Sequence, residues 1–352
     1  MINRIHGGNC LKRDIVDFSV NINPLGLPEG IADIGSENTD AILRYPDPSS
    51  ERLKKKLAVL HRAAPENIAV GNGSIELIYL IPRALKIKKS LILIPTFSEY
   101  EFALKLNNSK PVFFKTKEED DFRIDHTEII GCLPQSGALF LCNPNNPTGS
   151  LSLSDDILRL IHICKQRGTV LILDEAFIEF TEESKNTAIV SAAIKDRSLI
   201  ILRSLTKFFA IPGLRLGYAI GHKTMIEKIA GLQYPWNVNG LAQLAGEKVL
   251  SDKDYMNRTR LFVAEERQYI VKRLKAVKGL KTYPSSANFI LCKLQNTRIK
   301  SSTILAKHLL CDGIYIRACG NFRGLNDRFF RIAVRKRHDN NRLINSIEKA
   351  LR

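Results

Sequence analysis

The run Ala138-Leu-Phe-Leu-Cys142 passes directly into Asn143-Pro-Asn-Asn-Pro-Thr-Gly149. The first half is short, aliphatic and unbroken, as a strand covered on both faces must be. The second half stops it with a cluster of turn residues. The same punctuation recurs along the middle of the chain, where Ser90–Ile94, Pro111–Phe114, Val170–Leu173, Leu199–Leu202 and Gly217–Ile220 also read as strands. Helical patterns lie between them. Glu99–Leu106 is one, and Asp155–Arg167 is another, with Ser154 expected as its N-cap and Gly168 as its stop. Strands alternating with helices predict an α/β domain with a mainly parallel sheet flanked by helices.

The pattern changes after Asn239. Gly240–Leu250 and Arg258–Lys275 read as long amphipathic helices. A strand at Asn288–Cys292, a helix at Ser302–Leu310, a strand pair at Ile314–Arg317 and Phe329–Val334, and a last helix follow. These elements predict a smaller α+β domain. The expected division is an N-terminal segment, 1–30, docking on the small domain, a large domain at 31–238, and the small C-terminal domain at 239–352.

Of the 352 residues 44% are apolar and 25% charged, which excludes a disordered or fibrous chain. No apolar run reaches the roughly 18–20 residues of a membrane helix, and Met1 to Cys10 lacks the apolar centre of a secretory signal. The seven cysteines are scattered, without a C-x-x-C pair, and the seven histidines lack H-x-x-x-H spacing. A structural zinc site is not expected. Reduced thiols in a cytoplasmic enzyme are. The net charge of +17 is concentrated at Lys54–Lys56, at Lys86, Lys88 and Lys89, and along Arg331–Arg342. None of these runs is interleaved with aromatics as a base-stacking platform would be. The expectation is a solvated basic surface that steers a small anion, with neither nucleic acid nor membrane as partner.

Ligands of open α/β sheets bind beyond the carboxyl ends of the strands, and three such ends carry unusual polar groups. Ala138–Cys142 runs into the asparagine-proline turn, Val170–Leu173 ends in Asp174-Glu175-Ala176-Phe177, and Leu199–Leu202 runs into Arg203-Ser-Leu-Thr-Lys207 followed by Pro212-Gly-Leu-Arg215. A lysine, an aspartate and an asparagine converging on one sheet edge suit pyridoxal phosphate. The lysine bonds the cofactor's aldehyde, the aspartate keeps its pyridine nitrogen protonated, and the asparagine donates to its phenolic oxygen. Upstream, Gly71-Asn-Gly73-Ser74 opens the helix Ile75–Ala84, a place where backbone N–H groups can hold a phosphate.

These motifs, over essentially the whole chain, resemble the fold-type-I pyridoxal-phosphate enzymes of the aminotransferase superfamily. His6-Gly-Gly-Asn9, Asp17-Phe-Ser-Val-Asn-Ile-Asn-Pro-Leu-Gly26, Arg44-Tyr-Pro-Asp47 and Arg203–Arg215 resemble, more narrowly, the threonine-phosphate decarboxylases, which serve cobalamin biosynthesis and are relatives of the histidinol-phosphate aminotransferases. The resemblance implies that Lys207 is the cofactor-bonding lysine, that Asp174 pairs with the pyridine nitrogen, that Asn146 contacts the phenolic oxygen and that Phe97 stacks on the ring. It implies a phosphate site made by the backbone of Gly73, Ser74 and Ile75 with Ser204, Thr206 and Arg215, joined by Tyr45 from the other subunit of a homodimer. Arg331 is expected on the substrate carboxylate, Arg317 and His6 on a substrate phosphate, and Asn23 in the pocket wall.

One departure is informative. Aminotransferases of this group read Asp-Glu-Ala-Tyr, whereas this chain has Phe177, which cannot donate a hydrogen bond. That favours decarboxylation of a small phosphorylated amino acid over transamination of histidinol phosphate; the resemblance points to threonine phosphate, and serine phosphate stays open as the alternative substrate.

Overall fold

The computed structural model describes residues 7–8 and 14–352. Thirteen strands occur among the described residues, in chain order β1 (Val16–Asp17), β2 (Ile68–Asn72), β3 (Lys89–Ile94), β4 (Lys110–Lys115), β5 (Ala138–Cys142), β6 (Val170–Asp174), β7 (Leu199–Ser204), β8 (Leu216–Gly221), β9 (Leu280–Thr282), β10 (Phe289–Leu294), β11 (Ile314–Tyr315), β12 (Arg317–Ala318) and β13 (Phe329–Ala333). Seven form one sheet in the order β2-β8-β7-β6-β5-β3-β4, with only β8 running against its neighbours. Strands β1, β2 and β9 are additions to the sequence reading.

Side-chain alternation explains why this sheet is apolar on both faces. Leu139, Leu141, Leu171, Leu173, Leu199 and Ile201 join the core on one face. Phe140, Cys142, Ile172, Ile200 and Leu202, each one residue out of step, join the core on the other. The edge strand β4 (Lys-Pro-Val-Phe-Phe-Lys) carries a proline and a lysine at each end, which discourages pairing with another sheet.

The second sheet is antiparallel, in the order β12-β13-β10-β9. The N-terminal segment docks on it: β1 pairs in parallel with β11, Phe18 enters the smaller core, and the Ala333 N–H donates to the Phe18 carbonyl. The segment also reaches the large unit, since the Asn23 N–H donates to the Lys207 carbonyl.

Two details differ from the sequence reading. Helix Gly240–Val249, assigned above to the small domain, sends Ala242, Ala245 and Val249 into the large core. The next helix, Lys253–Lys275, gives Tyr255 and Val263 to the large core and Ile270 and Leu274 to the small one. An amphipathic stripe shows that a helix is buried, not which core buries it. We propose that the division between the units falls inside this long helix. Ser154, expected as an N-cap, is instead the first residue of helix Ser154–Gln166, and its N–H and hydroxyl both donate to Glu183.

Beneath the ends of β6 and β7 lies a buried ion network. The Arg203 guanidinium donates to Glu175 at 2.8 Å and to Glu179 at 2.7 Å, and Arg260 from the long helix donates to Glu179 at 3.0 Å. The side chains of Arg203 and Glu175 are 4% and 2% exposed. His61, beside them, lies 2.8 Å from the Tyr218 hydroxyl, and burial with Arg203 nearby pushes it down to about 3, so it is a neutral core histidine. Removing one partner of such a pair strands the other charge. Arg203→Met should therefore cost about 3–5 kcal/mol of unfolding free energy, read as a lower urea midpoint; a loss below about 1 kcal/mol, the size of an exposed pair, would contradict the role assigned here.

Candidate active site

The alternation that buries the sheet also sorts the polar residues at its carboxyl edge. Cys142 lies opposite Asp174 in register, and Asp174 opposite Leu202. All three point to the face occupied by Ile172 and Ile200, and Ser204 follows with the same parity. Glu175 and Arg203, one step along, point to the opposite face. Asp174 and the Ser204–Lys207 turn are thus presented on one side while the ion pair anchors them from the other.

Asp174 is 4% exposed. One carboxylate oxygen accepts the Tyr100 hydroxyl at 2.6 Å and the other accepts the Ala176 N–H at 3.0 Å. Burial raises the pKa of Asp174, against the lowering pull of those donors and of Lys207. Lys207 sits in the one-turn helix Leu205–Phe208, with its amine 3.2 Å from the Ser204 hydroxyl, which in turn lies 2.7 Å from that of Thr206. Burial brings the Lys207 amine down to about 8, with Asp174 opposing and Arg215 reinforcing the shift. A cavity of about 280 Å³ opens between these groups, walled by Phe97, Asn146 and Phe177.

At the mouth of this cavity β2 turns into helix Ser74–Ala84 at Gly73, whose φ of +74° suits glycine. A Cβ on Gly73 would stand 2.6 Å from Arg215 Nη2, and one on Gly217 of β8 would stand 2.3 Å from the Ser74 nitrogen. The two glycines let the helix start and the Arg215 guanidinium close around a small space. Backbone donors, a guanidinium and the hydroxyls of Ser204 and Thr206 are the donor set a phosphate monoester needs.

A second cavity of about 330 Å³ shares Phe97, Asn146, Phe177, Lys207 and Arg215 with the first and extends to Arg317 and Arg331. The two arginines face each other in register on β12 and β13, so both reach the same side of the small sheet. Arg331 is 6% exposed and donates to the Asn146 side-chain oxygen and, at 2.7 Å, to the Ser19 carbonyl, both neutral acceptors. Among the described residues its Nε is buried without a hydrogen-bond partner, as is the Asn21 side-chain oxygen in the same cavity. Burial lowers Arg331 to about 10, so it stays charged near neutral pH. Arg317 donates to Asn321 at 2.8 Å. Two buried guanidiniums on one side of a cavity, one with an orphaned donor, suit a ligand carrying two anionic groups.

The structure thus brings together Lys207, Asp174, Asn146, Phe97, Ser204, Thr206, Arg215, Gly73, Ser74, Ile75, Arg317 and Arg331 around two joined cavities. It leaves Asn23 out of them. The Asn23 amide donates to the Phe208 carbonyl and to the hydroxyls of Tyr255 and Thr259, and its side-chain oxygen accepts the Leu25 N–H. Asn21 and Ile22 line the pocket in its place. Asn23-Pro24 is a turn-initiating pair, the signal that this asparagine would spend its side chain locally. Tyr45 is 81% exposed and packs on Trp236 at 4.7 Å between ring centroids, away from the cavities of its own chain. His6 lies outside the described residues. The sequence reading missed Tyr100, although its position three residues after Phe97 places both near the start of helix Glu99–Leu106.

The sequence profile of the aminotransferase class I and II family matches residues 13–347. A threonine-phosphate decarboxylase of Salmonella typhimurium is 35% identical over 100% of this chain and 98% of its own. The crystal structure of L-threonine-O-3-phosphate decarboxylase from Porphyromonas gingivalis is 28% identical and covers 96% of this chain and 99% of its own, with a TM-score of 0.84. The histidinol-phosphate aminotransferase from Clostridium acetobutylicum is 32% identical, covers 95% of this chain and 98% of its own, and has a TM-score of 0.86.

The position of Lys207 has a measurable consequence. The neutral amine is the nucleophile, and with a pKa near 8 it dominates above that pH rather than above its ordinary value. The rate at which cofactor-free protein takes up pyridoxal phosphate, followed by absorbance, should rise with pH to about 8 and then level off. A rate still climbing between about pH 9 and 10 would mean a lysine with an unshifted pKa.

Proposed function

The chain belongs to the aminotransferase class I and II family, and within it we infer that the protein is a pyridoxal-phosphate enzyme decarboxylating L-threonine O-3-phosphate to (R)-1-amino-2-propanol phosphate for cobalamin biosynthesis. The observation that carries this reading is the pair Arg317 and Arg331, in register and open to the cavity that holds Lys207. Two cations on one wall match a phosphate and a carboxylate on one small molecule. Full-length similarity to threonine-phosphate decarboxylases supports it.

Asp174 would hold the cofactor's pyridine nitrogen, Asn146 its phenolic oxygen, Phe97 its ring face and the Gly73–Ile75 backbone with Ser204, Thr206 and Arg215 its phosphate. When bound, pyridoxal phosphate supplies an electron sink for the Cα bond that stands perpendicular to its ring. Which bond stands there is decided by this chain's residues. Arg331, tied to Asn146, connects the grip on the substrate to the grip on the cofactor. Anchoring both anionic groups of the substrate fixes rotation about the bond from nitrogen to Cα, so that the carboxylate is the group presented. Phe177, 5% exposed and edge-on to Phe289 at 5.0 Å, keeps the floor dry and offers no hydroxyl. After carbon dioxide leaves, the Lys207 amine is placed to return a proton to Cα. The methyl that separates threonine phosphate from serine phosphate is worth about 1–3 kcal/mol in such a pocket, so serine phosphate is the expected slower substrate.

We further propose a homodimer in the cytoplasm. Around Tyr45 and Trp236 the chain also exposes Ile42, Leu43 and Tyr234, an apolar surface suited to a second copy that would receive Tyr45 at its phosphate site. The six described cysteines are free, as in a reducing compartment. No helix among the described residues is long and apolar enough to cross a membrane.

Holoenzyme given phosphothreonine should release carbon dioxide without any keto acid, and Arg331→Ala should lower kcat/KM by roughly thirtyfold or more, as for loss of a buried charge contact of about 2–5 kcal/mol. No release, with keto-acid-dependent turnover of histidinol phosphate, would make it an aminotransferase. Mixing inactive Tyr45→Ala and Lys207→Ala proteins should restore activity through hybrid dimers; an active enzyme that sediments as a monomer would refute the shared site.

A further inference from the structure

Between β12 and β13, the strands that carry Arg317 and Arg331, runs the loop 320–325. It leaves the small sheet and lies across the large unit. Gly324, at φ +93°, rests there against the end of β3, where an added Cβ would come 3.4 Å from the Pro95 nitrogen. The loop's outermost side chain, Arg323, makes a two-pronged ion pair with Glu101 of helix Glu99–Leu106, Nε to one oxygen at 3.2 Å and Nη2 to the other at 3.0 Å. The guanidinium also lies over the Phe113 ring, 4.3 Å from its centroid. Glu101 has a side chain only 8% exposed and takes a further donor, Lys105, at 2.6 Å.

The inner side of the same loop faces the substrate cavity. Asn321 accepts from Arg317 at 2.8 Å, and the Phe322 ring lies 5.2 Å from the same guanidinium. Both residues line the cavity that also holds Arg331 and Lys207. Behind the loop, between it and Thr96, Glu101 and Phe113, is a hollow of about 330 Å³. Phe322 and Leu325 pack into a small apolar cluster with Tyr283 and Phe329, whereas on the side of the hollow the Arg323 contacts tie the loop to helix Glu99–Leu106 and the edge strand.

We propose that Arg323 is a positioning residue for substrate capture: its ion pair with Glu101 latches loop 320–325 to the large unit, and the latched loop holds Arg317 in place over the pocket. An exposed ion pair contributes little, but this one has a nearly buried acceptor and two parallel hydrogen bonds, the geometry in which arginine is most effective. It also joins the small unit's substrate arginines to the helix that begins beside the ring-stacking Phe97 and carries Tyr100, the donor to Asp174. Glu101 and Arg323 touch neither cofactor nor substrate sites, so their loss acts through Arg317 and should appear in substrate binding, not in the chemical step.

The assignment rests on the proposed substrate, and the test separates the two. Wild-type holoenzyme is assayed with phosphothreonine and, in parallel, with histidinol phosphate plus keto acid; which one turns over decides the substrate. The latch is then read from ratios on that substrate for Arg323→Ala, Glu101→Gln and the double variant, together with competitive inhibition by inorganic phosphate. Each single variant should raise KM and the phosphate inhibition constant by roughly five- to tenfold with kcat within about twofold. The double variant should be no worse than the worse single one, because both remove the same contact. Arg323→Lys, which keeps the charge but not the fork, should fall between wild type and Arg323→Ala. An unchanged KM in Arg323→Ala, a fall in kcat alone, or effects that multiply in the double variant would overturn the proposal.

Discussion

Arg203 carries a guanidinium into the core at the point where two parallel strands end, and Glu175 and Glu179 neutralise it there. Burying that charge without partners would be far too costly, so the ends of β6 and β7 cannot drift apart without exposing or stranding it. Because successive side chains on a strand face opposite ways, the clamp on one face leaves Asp174 and Ser204 on the other, with Lys207 one short turn beyond. The residues proposed to hold the cofactor's nitrogen and its aldehyde are in this way set by a contact that touches neither.

A second layer of control comes from the small unit. Its antiparallel sheet places Arg317 and Arg331 opposite each other, and Arg331 reaches across to Asn146 on the large unit. Two guanidiniums in register repel unless anions lie between them or neutral acceptors spread their charge. Here the hydrogen bonds of Arg331 go to neutral oxygens and one of its donors is left over. The apparent flaw is what a substrate with two anionic groups would correct. Solved structures of an aminotransferase and of a decarboxylase share this fold, so the fold does not choose the reaction, and on the proposed reading the way the substrate is held does.

Much of this was legible in the sequence because it is local. Unbroken aliphatic runs marked six of the seven strands of the large sheet, all but β2, and the polar residues immediately after them marked Asp174, Asn146 and Lys207. The misreadings come from choices that local sequence does not make. Helix Gly240–Val249 is amphipathic either way, and only tertiary contact decides that its apolar stripe packs on the large core. Asn21 and Asn23 are the same residue type in the same block, yet the Asn-Pro turn draws one into a structural network and leaves the other facing the pocket. Tyr100 lies 74 residues from the aspartate it serves, and no pattern of short range records that pairing. Arg323 and Glu101 are farther apart still, 222 residues, and no local pattern joins them.

The central claim is that the buried arginine pair presents the carboxylate, and not the Cα hydrogen, for cleavage. The most direct measurement follows the fate of that hydrogen. Holoenzyme in ordinary water is given phosphothreonine deuterated at Cα, and product and remaining substrate are examined by mass spectrometry. The account predicts that the amine product keeps its deuterium, gains one solvent proton and appears together with carbon dioxide, while recovered substrate remains fully deuterated. Loss of deuterium from recovered substrate without carbon dioxide would mean that the Cα–H bond is the one presented, and would contradict the account.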